Sequence, residues 1–500
     1  MGLKKHLPFI GLALSMLLLP IHLSAQTSAA QIWVVGNNDF PGQPGYGNAI
    51  IRFENGQAQV TPIDLKMNFE STVAAMPDSA GQILFYTNGC YIADALGDTM
   101  PGGTGLNPGE IHDWVCPSSG YTAPFGAMIL PIPGSESRYG LFHMGIRYSP
   151  ERRISYGPFY CTIVDMALNG GKGAAIAKNK ILADGKLEPF AAVRHANGRD
   201  WWIVVPEYGS NRYHRFLLNP SGPQGLAVAQ VGDSLSCRYI GSSAFAPNGT
   251  RYARQQHCGM VVMDFDRCSG GFSNPKRLSI PPMAFGGGGV AFSPDGDRVF
   301  TSTQLSITSA DLTQPNPQLD TVVTVFDAIG TGMGLMQYGP DGRIYIPYLG
   351  RSTYLHVLDL PSDQTVIFHQ QGFPLPVWND KALPNLPNFR LGDLHGSPCD
   401  SLGITPLREP QPEAAFAVSV SPNPAQSEAT LRDLSPESAA QERRWRLYAP
   451  AGQVLRSGTL PPGLSEQHIA LSSLPAGLYV WEMLRSDGSR AAGKLVVQRQ

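Results

Sequence analysis

The stretches "AFAPNGTRYA" (residues 244–253), "AFSPDGDRVF" (291–300) and "QYGPDGRIYI" (337–346) repeat one pattern: an apolar run, then Pro, Asp or Asn, Gly, then a second apolar run. Pro presets φ for the second position of a turn, Asp or Asn bonds the backbone just ahead of it, and Gly accepts a positive φ. Each copy therefore predicts two antiparallel strands joined by a tight turn. Pro247, Pro294 and Pro340 recur 47 and 46 residues apart, a period found among propeller blades. Weaker copies precede them: "AAMPDSAGQILFY" (74–86), "ILPIPGSESRYGLFHM" (129–144) and "AVRHANGRDWWIVV" (192–205). That makes six units. A seventh is assembled from both ends, with "PNFRLG" (387–392) as its innermost strand and "QIWVVGN" (31–37) and "AIIRFENG" (49–56) completing the sheet. The expectation is an all-β chain, a seven-bladed β-propeller over residues 26–400, closed so that no sheet edge lies along the ring. An array of β-sandwiches is the alternative, and the fixed spacing favours the propeller.

Composition agrees. Of 500 residues, 42% are hydrophobic and only 15% charged, while 55 are Gly and 43 Pro. Such a chain favours strands and turns over long helices and has ample material for a large core. The net charge of −2 offers no basic footprint for nucleic acid. Residues 1–25 carry Lys4 and Lys5, an apolar stretch from Leu7 to Leu19, and "IHLSA" before Gln26. This reads as a signal peptide for Sec export, since Pro20 and His22 interrupt the apolar span a membrane anchor needs. No later segment is long and apolar enough to span a membrane. Seven cysteines in an exported chain can pair, with one left over. Cys90–Cys116 and Cys258–Cys268 are the predicted bridges, the first closing the segment 87–126 and the second a ten-residue interval read as joining neighbouring strands.

The middle of the chain also bears a resemblance. "ILFYTNG", "IVDMALNGGKG", "LMQYGPDGRIYI" and "LPNLPNFRLGDLHGSPCD" are similar to segments of secreted propeller-like proteins of Bacteroidetes, of the gliding-motility-associated type. The resemblance spans most of residues 30–400 and implies the fold without naming a ligand.

Residues 401–415, rich in Pro and Glu and without periodicity, read as a linker. From 416 to 500 the pattern is again β, with alternation in "WRLYAPAGQVL" and "LYVWEML" predicting half-buried strands of a small sandwich. Pro422-Asn423-Pro424, then Gly452, then Gly477-Leu478-Tyr479, then Lys494 in "KLVVQ", resemble the C-terminal sorting domain of type IX secretion substrates. The segment "LYAPAG" departs from that pattern, which more often has Asp or Asn before the Gly. The resemblance implies that the type IX secretion machinery is a partner, that the protein reaches the outer-membrane surface or the medium through the periplasm, and that the domain is commonly removed there. A generic adhesive sandwich is the alternative.

Motifs for chemistry are sparse. The sequence contains no G-x-S-x-G, no H-E-x-x-H, no P-loop and no C-x-x-C. The turn "SPDGDRVF" differs from the sialidase Asp box, because Gly296 follows Asp295 directly. His143, His195, His214 and His257 fall on separate units, where a propeller could gather them at its axis; single histidines on β surfaces are more often structural. Asp264 and Asp266 share a strand face at period two, a calcium-binding pattern or a solvated edge. Neither cofactor nor metal is expected. Residues 87–126 form the most function-like segment, with Tyr91, Trp114 and Tyr121 offering flat faces suited to an extracellular protein or glycan. A blade connection with buried aromatics fits the same residues. The expectation is a binding or scaffold protein without catalysis; the alternative is a secreted hydrolase or lyase with its site in the central channel.

Overall fold

The computed structural model describes residues 32–498 apart from 149–153, 238–240, 257, 281–287, 325–331, 362–364, 382, 401–417, 435–441, 450–453 and 486–489. The predicted signal peptide (1–25), the linker (401–415), His257 and Gly452 lie outside the described residues. The chain divides into two compact units, Met1–Cys399 and Asp400–Gln500.

The first unit is a succession of small antiparallel sheets, each a simple meander in which strands follow one another in chain order. The three strongest repeats become the hairpins Ser243–Phe245 with Arg251–Gln256, Val290–Phe292 with Arg298–Ser302, and Gln337–Tyr338 with Ile344–Pro347. The weaker copies give Ala74–Pro77 with Ile83–Thr87, Ala127–Pro131 with Arg138–Tyr148, and Ala191–Arg194 with Trp201–Pro206. Each hairpin gains two further strands, and the one at Ala191–Arg194 gains a third short one, Ala229–Gln230. The turn chemistry is as the residues dictate. Gly249, Gly296 and Gly342 have φ of +74°, +78° and +85°, and the side-chain oxygens of Asn248 and Asp295 accept the amides of Thr250 and Asp297, each at 3.0 Å. Neighbouring turns are also stitched together, with Arg251 Nη1 donating to Asp297 Oδ1 at 2.7 Å. Apolar residues on the two faces of these sheets fill separate clusters between them; Trp33, Phe53 and Tyr345 meet edge-to-face in one, while Trp201, Phe159 and Phe389 share another. This all-β arrangement of many small sheets is consistent with a β-propeller-like fold.

The sheet built from the N-terminal strands differs from expectation. It comprises Ile32–Asn37, Gly47–Glu54 and Gln57–Ile63, and residues 387–392 do not pair with it. Two prolines, Pro384 and Pro387, lack the amide a ladder needs, and the segment 383–392 has no strand assignment at all.

Three disulfides are present: Cys90–Cys116, Cys237–Cys258 and Cys268–Cys399, with Cα separations of 5.5, 5.9 and 5.5 Å. The first is the predicted bridge. The predicted Cys258–Cys268 bridge is corrected, because the two residues flank opposite ends of one strand, Gly259–Asp266. At about 3.3 Å per residue that strand holds its ends roughly 25 Å apart, far beyond the Cα separation of about 7 Å that a disulfide can span. Cys161 is the odd cysteine, free and buried.

In the second unit, one sheet contains Val418–Ser421, Glu428–Asp433 and Glu466–Ala470, and the other orders Val454–Leu460, Arg443–Tyr448, Gly477–Arg485 and Arg490–Val497. Trp445, Leu447, Ile469, Trp481, Met483 and Leu495 are among the residues of the core they share. Asn423 ties the start of the unit to its end: its Nδ2 donates to Lys494 O and its Oδ1 accepts from Val496 N, both at 2.8 Å. Tyr479 is buried, and its hydroxyl donates to Pro475 O at 2.7 Å. Asp433 and Arg443 are wholly buried and paired at 3.3 Å, with Arg485 as a second partner at 3.2 Å.

Candidate functional site

The segment 87–126 is shorter in loop than the sequence suggested. It supplies the strands Tyr91–Asp94 and Thr99–Thr104 and the six-residue helix Glu110–Val115. Tyr91 is half-buried in the first of these strands. Trp114, on the helix, is 71% exposed, whereas Tyr121 is 1% exposed and its hydroxyl oxygen accepts the amide of Ile146 at 2.8 Å. The three aromatics therefore do not form one accessible platform. Tyr121 belongs to the core, because main-chain bonds from Thr72 and to Asn88 draw it inward. Trp114 alone of the three stands out in solvent, beside a loop fastened by Cys90–Cys116.

The histidines are consumed locally. His143 is fully buried between Asn107 Oδ1 at 2.7 Å and Thr162 Oγ1 at 2.9 Å. Asn107 Oδ1 can only accept, so in the neutral ring Nδ1 carries the hydrogen and Nε2 accepts the Thr162 hydroxyl proton, while the Thr162 oxygen also accepts the amide of Asn179. Burial holds this imidazole down to about 3, neutral at all ordinary pH. His195 spans Cys268 O and Asn197 N, and His214 lies 3.0 Å from Glu207. Asp264 bonds to Asn274, and Asp266 to Ser269 and the Cys268 amide. These groups are not brought together at one point. Asp393 and His395 lie at the surface, and His395 is engaged in other interactions.

What occupies the axis is the chain itself. A cavity of about 100 Å³ is lined by first strands of successive sheets, including Ala192, Ala244, Val290 and Gln337, and by residues 385–388 and Arg390. Asn385 Nδ2 donates to Phe125 O at 3.1 Å and Phe190 O at 2.9 Å, carbonyls just ahead of the strands Ala127–Pro131 and Ala191–Arg194. Asn388 Nδ2 donates to Pro247 O at 2.8 Å and Arg390 Nη1 to Pro340 O at 3.3 Å, both in turns that follow first strands. The segment thus runs lengthwise, from the end where first strands begin to the end where they turn. Beyond it Leu394 N bonds to Ala196 O at 2.7 Å, and Cys399 joins Cys268.

Two buried arginines hold this strap. Arg194 Nη2 donates to Phe389 O at 3.2 Å and its guanidinium lies 4.0 Å from the Trp201 ring. Arg267 donates to Arg194 O at 2.8 Å and to Gly392 O. Loss of solvent pulls both guanidinium groups down to about 10, which leaves them cationic. A second buried network, Glu188 with Arg254 at 2.6 Å and with Gln256, crosses between neighbouring sheets. Sequence reading missed both. The doubled triplet Leu-Pro-Asn at 383–388 was the available signal for the strap; nothing marks Glu188 out.

No family model matches the chain, and no curated protein matches it. Among solved structures it is similar to a Bacteroides uniformis protein bearing a provisional 6-phosphogluconolactonase assignment, at 14% identity over 69% of this chain and 97% of that one, with a TM-score of 0.42. It is also similar to Hsv2 of Kluyveromyces lactis (12% identity, 68% and 98% coverage, TM-score 0.35) and to apo AztD of Citrobacter koseri (10%, 94% and 95%, TM-score 0.26). Overlaps of this size do not equate the chains, and the fold reading rests on the sheets described above. Among the described residues no helix is long and apolar enough to cross a membrane.

Proposed function

We propose that this is a secreted or surface-displayed binding protein: a seven-bladed propeller carried out through type IX secretion by its C-terminal unit, recognising an extracellular protein or glycan without turning it over. The observation that carries the binding reading over a channel hydrolase or lyase is the axial strap, which fills with the chain's own residues the place where a propeller would gather catalytic groups. Three disulfides suit an oxidising compartment. Trp114, exposed on the short helix within the segment closed by Cys90–Cys116, is the residue proposed to meet the partner, since large exposed aromatics favour interfaces. The export reading is tested by deleting residues 416–500: the truncated protein is expected in the periplasm, and its normal surface display overturns the reading. The binding reading is tested by glycan and protein arrays with the mature chain and with Trp114→Ala. Loss of a captured partner in the variant is expected. Turnover of a glycan or lactone, abolished by a substitution among the channel-lining residues, overturns it.

A further inference from the structure

The strap has a period of its own. Residues 383–388 are two Leu-Pro-Asn triplets, followed by Phe389, Arg390, Leu391 and Gly392. Leu383 and Phe389 are 1% and 3% exposed, with Leu386 packed between the same clusters. Their carbonyl and side-chain bonds keep the same step. The oxygens of Leu386, Phe389 and Gly392, three residues apart, accept from Gln337, Arg194 and Arg267. The amides of Asn385 and Asn388, also three apart, donate to main-chain oxygens of the surrounding sheets. Over residues 383–388 the repeat of three is that of the polyproline II helix, and beyond it the chain turns, with Leu391 N bonding to Asn388 O at 3.3 Å and Arg390 N to Asn388 Oδ1 at 3.0 Å. Recognition of main-chain carbonyls by fixed side-chain donors, with pockets for every third apolar residue, is how a protein binds a peptide from another chain.

We propose that the axial channel is a binding site for an extended, proline-containing peptide of three-residue period, filled in this structure by the two triplets at residues 383–388 of the same chain. Its ligand class is a peptide with the Leu-Pro-Asn repeat, and Cys268–Cys399 is what makes occupation by the chain's own segment permanent. This inference stands apart from the reading that assigns Trp114 to a partner. The strap is tethered at both ends, so its effective concentration is millimolar, and a free peptide at tens of micromolar does not displace it.

The test uses the full chain. The variant Cys268→Ser/Cys399→Ser/Asn385→Ala/Asn388→Ala releases the latch and removes the bonds that the two asparagine amides donate to the surrounding sheets. A fluorescein-labelled peptide with the sequence of residues 383–392 is expected to bind it, by anisotropy, at least about tenfold more tightly than it binds the wild type. Replacing both prolines and both asparagines of the peptide by Ala, or Gln337 of the protein by Ala, is expected to weaken binding about tenfold. A folded variant that ignores the peptide, or that binds the substituted peptide equally well, overturns the proposal. Should the fourfold variant not fold, the cysteine double variant decides by hydrogen exchange. Faster exchange of residues 383–392 than in the wild type, slowed again by millimolar peptide, supports the site, and unchanged exchange overturns it.

Discussion

His143 gives a prediction whose size follows from geometry. Its Nδ1 donates to Asn107 Oδ1 and its Nε2 accepts from the Thr162 hydroxyl. A second ring proton would force the Thr162 hydroxyl to turn from donor to acceptor and would place a charge in a fully buried site. The folded value of about 3 therefore lies below the roughly 6.5 of an unfolded histidine. Between these values the unfolded chain binds the proton and the folded chain does not, so stability is full above about pH 6.5 and falls as the pH drops toward 3. Integrating that linkage from pH 7 to pH 5 gives a loss of about 2 kcal/mol from this residue. His143→Gln keeps a donor and an acceptor for Asn107 and Thr162 and removes the titration. Urea unfolding at both pH values, followed by tryptophan fluorescence, should show the wild type losing about 2 kcal/mol more than the variant over that interval. His356, held at about 4 by burial, has the same sign but remains in both proteins and cancels. Equal acid loss in wild type and variant refutes the assignment of His143 as a buried neutral group.

Peptide mapping without reductant should recover Cys90–Cys116, Cys237–Cys258 and Cys268–Cys399. Cys161, buried and pushed up to about 12, should react with iodoacetamide only after unfolding. In the C-terminal unit a side chain at Gly493 would begin 2.6 Å from the Trp481 ring, so Gly493→Val should cost about 1–3 kcal/mol there by overpacking, read by urea denaturation. Asn423→Ala removes both bonds to the last strand and should cost about 1–3 kcal/mol, with hydrogen exchange rising at residues 494–497. Trp114→Ala should leave stability within about 0.5 kcal/mol, whereas Tyr121→Ala should cost about 3 kcal/mol; thermal unfolding of the pair separates an exposed residue from a packed one.

The hairpins were legible because turn chemistry is local: Pro-Asp-Gly and its variants specify a bend from four residues, and the hairpins of the six repeat units all formed. The outer strands of the same sheets were less so. Thr99–Thr104 reads "TMPGGT", and its proline and glycines signal a loop until neighbouring strands supply its ladder. Part of the strap was misread as a strand for the opposite reason: the apolar residues of "PNFRLG" (387–392) suggest the innermost strand of a sheet, while the period of three that begins at Leu383 was overlooked. Disulfide partners were read from spacing along the chain. Cys268 pairs with Cys399 instead because the strap returns the end of the first unit to the turn after Asp266. The aromatic segment showed which residues were large and flat, yet only tertiary bonds could separate Tyr121 from Trp114.

The bond between Cys268 and Cys399 also determines how this chain would respond to being pulled. Residue 400 begins the second unit, so tension applied from that side reaches Cys399 first and passes through the disulfide into the short turn beyond Asp266. The sequence between the two cysteines, a separation of 131 positions with the strap included, lies inside the covalent loop and feels no stretch while it is intact. A chain fixed to a surface by one end and bound to a partner by the other would thus bear load along a path that bypasses its central axis, and would pay out that hidden length only after reduction.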